Sequence, residues 1–199
     1  MDVKKLIFRG KNLLLNPASE FRKIKEDPTS IFRVNKRFTL PLAAIVAICN
    51  LIASVLSNLH ATANGYFFIG LNALIVFLIV LTHIYVSGKL IAYMGRNEVP
   101  DESPVNYYRL STYSQLPFLL ILALIKLFPS LVFLIFLGLY SGMIFYTGVG
   151  IITRIREGRK EQFTFLSLLV MIVSFIVFSK LFTVLYTEIV DQFSTFAAH

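Results

Sequence analysis

Residues Ser114–Tyr140 read SQLPFLLILALIKLFPSLVFLIFLGLY, and the division of this stretch decides the fold. It is almost wholly apolar, yet it holds one lysine, Lys126, and two prolines, Pro117 and Pro129. A single straight helix over Leu116–Tyr140 would set Lys126 near its middle. An unpaired lysine at the centre of a bilayer costs about 2.5–3.5 kcal/mol on insertion scales. Pro129 would also break the backbone hydrogen-bond ladder there. Two helices that reverse at KLFPS avoid both penalties. Lys126 then closes one helix, where a cation suits the dipole, and Pro129 opens the next. So short a turn makes the two helices antiparallel neighbours.

The rest of the 199-residue chain has the same character. It is 56% hydrophobic and 15% charged, and its mean hydropathy is +0.73. Soluble domains are typically about 45–50% apolar and about 25% charged. A bilayer span needs about 20 mostly apolar residues. The charge-free runs support five such spans: Phe38–Leu59, Tyr66–Tyr93, Tyr108–Lys126, Pro129–Thr153 and Phe163–Thr187. The expected fold is all-α, a polytopic transmembrane bundle of five spans (38–199) preceded by a basic arm (1–37). The first apolar run is too long for a signal-peptide core, so no cleaved leader is expected. The lone Cys49 is silent on redox compartment.

Five spans put the chain ends on opposite sides. Seventeen of the 19 Lys/Arg fall on one side, in the arm, in and just beside the second loop, and in the fourth loop. Only Lys126 and Lys180 fall on the other. The positive-inside rule then makes the N-terminus cytoplasmic and the C-terminus outside. The chain has no Asn-x-Ser/Thr glycosylation site, which fits a bacterial cytoplasmic (inner) membrane.

In the arm, VKKLIFRGKNLLL spaces Val3, Leu6, Ile7, Leu13 and Leu14 at a helical period. NPASEF offers Asn16 as a helix cap with Pro17 at the first helical position, and EDPTS repeats the device with Asp27 and Pro28. Two short amphipathic helices lying on the lipid surface explain this pattern, in preference to a solvated arm that merely orients the first span. Lys4, Lys5, Arg9, Lys11, Arg22, Lys23 and Lys25, with Arg154, Arg156, Arg159 and Lys160 of the fourth loop, are the candidate contacts to anionic head groups. The charge is confined to membrane-flanking segments, so nucleic acid is not an expected partner.

Chemistry is scarce. No Asp or Glu lies in any span, which weighs against proton relays and cation-coupled pumps. There is no metal-ligand pair, nucleophile elbow or phosphate loop, so no cofactor and no enzymatic activity are expected. Asn50 is the deep polar residue, about 18 Å along the first span. It either bonds a neighbouring helix or lines a pathway. His83 is expected near an interface as a belt residue. In the third span, YYRLSTYSQ is polar and includes Tyr113 and Gln115. It forms either an interfacial collar or a face turned to other helices or a wet cavity. Pro41 is expected in the first turn of the first span. Gly138 and Gly142 form a G-x-x-x-G that packs within the bundle or forms a dimer face.

LLLNPASEFRKIKEDPTS before the first span resembles the arm of prokaryotic Yip-domain proteins. YYRLSTYSQLPFLLILALIKLFP followed by LGLYSGMIFYTGV resembles the middle of that family, and five spans with a cytoplasmic N-terminus match it. The resemblance covers essentially the whole chain. It implies a kinship with eukaryotic Yip proteins, which interact with Rab-type GTPases and shape Golgi and ER membranes. The arm here is shorter than their cytosolic region, so GTPase binding is not carried over. The expected role is a non-enzymatic protein that organises membrane or binds protein partners at its cytoplasmic face. The alternative is a small transporter or channel with a polar cavity near Asn50 and Gln115.

Overall fold

The structure is a computed structural model that describes the backbone of residues 3–27, 29–59 and 62–196, with side chains for 7–27, 29–59, 62 and 65–193. Helix α1 (Val3–Leu15) and helix α2 (Pro17–Glu26) precede five helices long and apolar enough to cross a membrane. We number these as spans: Ile31–Ser57, Ala63–Glu98, Pro104–Leu127, Pro129–Ile152 and Glu157–Phe196. No strand occurs among the described residues. The reversal at Lys126 is present. The third span ends at Leu127, Phe128 leaves helical geometry, and Pro129 opens the fourth span.

The third span is the axis of the bundle. Of its most apolar stretch 67% is buried, against 11% for the fifth span at the periphery. Its polar half lies innermost, with every residue from Tyr107 to Pro117 buried. Of the two readings of this stretch, the burial is that of a face turned to other helices. Lipid tails cannot satisfy hydroxyls and amides, so a polar helix face is stable only against other helices. The span is broken at Gln115 into Pro104–Ser114 and Leu116–Leu127. Pro117 has no N–H to give to the Tyr113 carbonyl, which weakens the ladder there. Neighbouring side chains repair the break. Ser114 Oγ donates to the carbonyls of Leu110 and Ser111, and Ser141 Oγ of the fourth span accepts from Phe118 N at 3.1 Å.

The first span begins at Ile31, earlier than its apolar run, so Pro41 is not in the first turn as expected. The ring of Pro41 would clash with the carbonyl one turn back and leave it without a donor. The helix responds by loosening to π geometry over Asn35–Thr39, where Leu40 N reaches back to the Asn35 carbonyl. The cap before this span is Ser30, whose Oγ accepts from Arg33 N. Asp27 instead closes α2, and Pro28 lies outside the described residues.

Two glycines of the second span set how closely it meets this axis. A Cβ on Gly95 would collide with the ring of Tyr107, and one on Gly88 would lie 2.7 Å from the ring of Tyr108. Both tyrosines are fully buried. Gly95→Ala is therefore expected to cost about 1–3 kcal/mol by overpacking. The check is thermal unfolding in detergent, where Gly70→Ala, which faces open space, leaves Tm unchanged.

Candidate functional site

The N-terminal helices form as the sequence predicts, and one face of them is covered by the bundle itself. Asn16 Oδ1 caps α2 by accepting from Ser19 N at 3.2 Å, with Pro17 in its first turn. Leu13, Phe21 and Ile24 are fully buried in the same core as the spans. Phe21 enters a notch on the fourth span, where a Cβ at Gly148 would meet its ring at 2.8 Å. Tyr140 Oη donates to the Leu14 carbonyl at 2.7 Å, and Lys25 Nζ donates to the Ile151 carbonyl at 2.8 Å. These two anchors are eleven residues apart on the fourth span, about 16 Å along its axis. Hence α2 runs beside that span, and α1 with α2 makes a hairpin wedged upright into one end of the bundle. Ile7, Phe8 and Leu15 remain exposed on its outer side.

The wedge carries charge inward. Glu20 is only 3% exposed. A buried carboxylate is tolerable only when paired and hydrogen-bonded. Arg9 Nε donates to its Oε1 at 3.1 Å, Asn12 Nδ2 donates to its Oε2 at 3.1 Å, and Lys23 Nζ stands 3.9 Å away. Arg9 then ties the pair to the axis, because its NH1 donates to Tyr113 Oη at 3.2 Å and its guanidinium lies over the Tyr113 ring. Phe38 of the first span packs edge-on against the same ring at 4.6 Å. Nearer the end of the bundle, Arg109 NH2 donates to the Asp27 carbonyl and Tyr108 Oη donates to Asn35 Oδ1, each at 2.7 Å. Arg9 also approaches the Asp27 carboxylate at 3.6 Å.

Arg9 and Asp27, which lie outside the spans, have displaced titrations. Burial works against the Arg9 cation, but Tyr113, Glu20 and Asp27 outweigh it, and its pKa rises above the usual guanidinium value. A hydrogen bond from Thr29 holds the Asp27 carboxyl below the usual carboxylate range, against the pull of burial and with help from Arg9 and Arg109.

The remaining candidate residues are dispersed. Arg9, assigned from the sequence to the lipid surface, is instead half-buried in the ionic cluster. Lys11, Arg22 and Lys23 are exposed, and the side chains of Lys4 and Lys5 lie outside the described residues. Arg154 approaches Glu102 at 3.7 Å, Arg159 pairs with Glu98 at 2.9 Å, and Lys160 sits over the Tyr146 ring. Arg156 lines a small cavity with Glu98, Ile155 and Arg159. Asn50 donates to Asn72 Oδ1 at 2.9 Å, an interhelical bond between the first two spans. Gly138 faces Phe118, and Gly142 faces Leu168 of the fifth span. Gln115 lies apart from the cluster and donates to Ser87 Oγ and Ser111 Oγ.

Two residues of weight were missed. Glu20 shares a helical face with Phe21 and Ile24, and that periodicity was the available signal. The distance of His83 from Tyr66 along the second span suggests a belt residue, but it says nothing of lateral packing. His83 is fully buried between helices, with Nδ1 2.9 Å from Ser174 Oγ of the fifth span. No group of three metal-ligating side chains occurs among the described residues. The cluster under the hairpin can hold and orient helices, but it contains no nucleophile paired with a base.

Arg9→Leu would leave Glu20 buried with fewer donors, at an expected cost of about 1.5–3 kcal/mol. Glu20→Gln keeps an acceptor for Arg9 and should cost less, and Arg9→Leu/Glu20→Leu should recover part of the loss. Melting temperatures of the three variants in one detergent give the comparison. The depressed Asp27 contributes stability that is full above the unfolded carboxylate pKa and lost as pH falls through the folded one. Docking of the hairpin should thus weaken below about pH 4. Protease protection of residues 7–27 across pH reads this, and Asp27→Asn should flatten the response.

Residues 11–179 match the family model described as the Yip1 domain. No curated protein and no solved structure matches the chain.

Proposed function

The chain belongs to the Yip1 domain family of multi-pass membrane proteins, and from that premise we propose a non-enzymatic protein that organises membrane or binds protein partners. The observation that carries this reading is the hairpin. Its inner face is committed to the bundle through Arg9, Glu20 and Phe21, while Lys11 and Arg22 face outward. A rigidly held cationic surface beside exposed Ile7, Phe8 and Leu15 suits anionic head groups or an acidic partner. The charge bias supports a cytoplasmic location for this end, an outside C-terminus and a bacterial cytoplasmic membrane.

Deleting the arm would take Leu13, Phe21 and Ile24 out of the core and uncover the face of the fourth span at Gly148, so the informative variant removes charge alone. In-membrane cross-linking with wild type and with Lys11→Gln/Arg22→Gln is the experiment. The reading expects a discrete cross-linked partner, or enrichment of anionic lipid, that the double variant loses while Tm stays within a few degrees. Identical products from both proteins would overturn it. The transporter alternative draws on Gln115 at the break of the third span. It requires solute flux in proteoliposomes that Gln115→Leu abolishes, and the organising role requires none.

A further inference from the structure

Hydroxyls inside this bundle mostly satisfy themselves on their own helix. Ser87 donates to the Ile84 carbonyl, Thr153 to Val149 and Ser174 to Met171. Tyr107 Oη, Thr112 Oγ1, Thr164 Oγ1 and Ser167 Oγ are exceptions: they make no hydrogen bond within the protein, and nor do Arg109 Nε and Gln115 Oε1. Each of these six residues is at most 7% exposed.

Four of the six, Tyr107, Thr164, Ser167 and Gln115, follow one seam. The Glu98–Arg159 ion pair and the His83–Ser174 hydrogen bond give one antiparallel register between the second and fifth spans. The Gln115–Ser87 bond and the contact of Tyr107 with Gly95 give one register between the second and third. Inward from the basic end, the order is therefore Tyr107, Thr164, Ser167, Gln115, and last His83 with Ser174. From Gly95 to His83 this seam runs about 18 Å along the second span. Its outer end meets a cavity of about 190 Å³ that Glu98, Gln162 and Phe163 line, and Tyr107 packs against Phe163. Its inner end stops at Phe118 and Phe175, whose rings stand edge-on to His83.

We propose that the junction of the second, third and fifth spans is a water inlet, open at the basic end and closed at His83. A buried polar group left without a partner costs about 1–3 kcal/mol, so several in a row need a partner from outside the protein. Buried waters typically make about three hydrogen bonds to such groups, and lipid tails offer none. The ligand is water itself, which places His83 in aqueous contact with one side of the membrane only. The inlet stands apart from the partner-binding role of the hairpin.

The test is cysteine accessibility in membrane vesicles, in a Cys49→Ser background. Thr164→Cys and Ser167→Cys are compared with Val177→Cys, which faces away from the bundle. A small charged methanethiosulfonate reacts only with a thiol in contact with water. The inlet predicts reaction at least tenfold faster at both seam positions than at Val177→Cys, and only from the side of the basic end. Rates equal to that of Val177→Cys would refute the inlet. Equal labelling from both sides would refute its closure at His83.

Discussion

The bond from Arg9 to Glu20 is the constraint on which the basic end of this protein depends. A carboxylate taken out of water carries a desolvation cost of several kcal/mol, so Glu20 can be buried only if donors come with it. Asn12 and Arg9 of α1 are those donors. Their demand folds α1 back on α2, and the same Arg9 reaches Tyr113 on the axis. Once the hairpin is closed, Phe21 and Ile24 point into the bundle, and Gly148 leaves the space that Phe21 needs. The polar half of the third span is then shielded on the side where it would otherwise meet lipid.

This arrangement divides labour by depth. The third span concentrates polar groups at the centre, and the spans around it present apolar side chains outward. The far half of the fourth span shows this most plainly: Pro129–Leu139 is a 3-10 segment with no buried residue, and its Val132, Phe133 and Phe136 face away from the protein. Hydrogen bonds inside the bundle supply specificity of pairing, since apolar contact with lipid and with another helix are nearly equivalent. Asn50 with Asn72 fixes the first span on the second, and Ser141 with Phe118 fixes the fourth on the third.

Features that depend on neighbours in the chain were legible in the sequence. The reversal between Lys126 and Pro129 follows from the charge and the ring together, and Asn16–Pro17 announces the start of α2. The five spans follow from length and hydropathy. Features that depend on distant partners were not legible. Helical periodicity says that one face of α1 and α2 is buried, but the period is the same whether lipid or protein covers it. Pro41 reads as a helix-start proline until the upstream turn, Ile31–Val34, is known to be helical as well. The burial of His83 against Ser174 of the fifth span was likewise out of reach, because it depends on the register of two distant helices. Asn72 could be matched to Asn50 only with the register of two antiparallel helices in hand.

The central claim is that the N-terminal hairpin is part of the bundle rather than a surface arm. The most direct measurement is a disulfide cross-link between α1 and the third span in native membranes. A Cβ at Gly10 would lie 3.6 Å from Leu116 Cδ2, so Gly10→Cys with Leu116→Cys in a Cys49→Ser background brings the two thiols together. The account predicts rapid, near-complete intramolecular cross-linking under mild oxidation. A pair that stays reduced, with the thiol at position 10 freely alkylated from the aqueous phase, would contradict it.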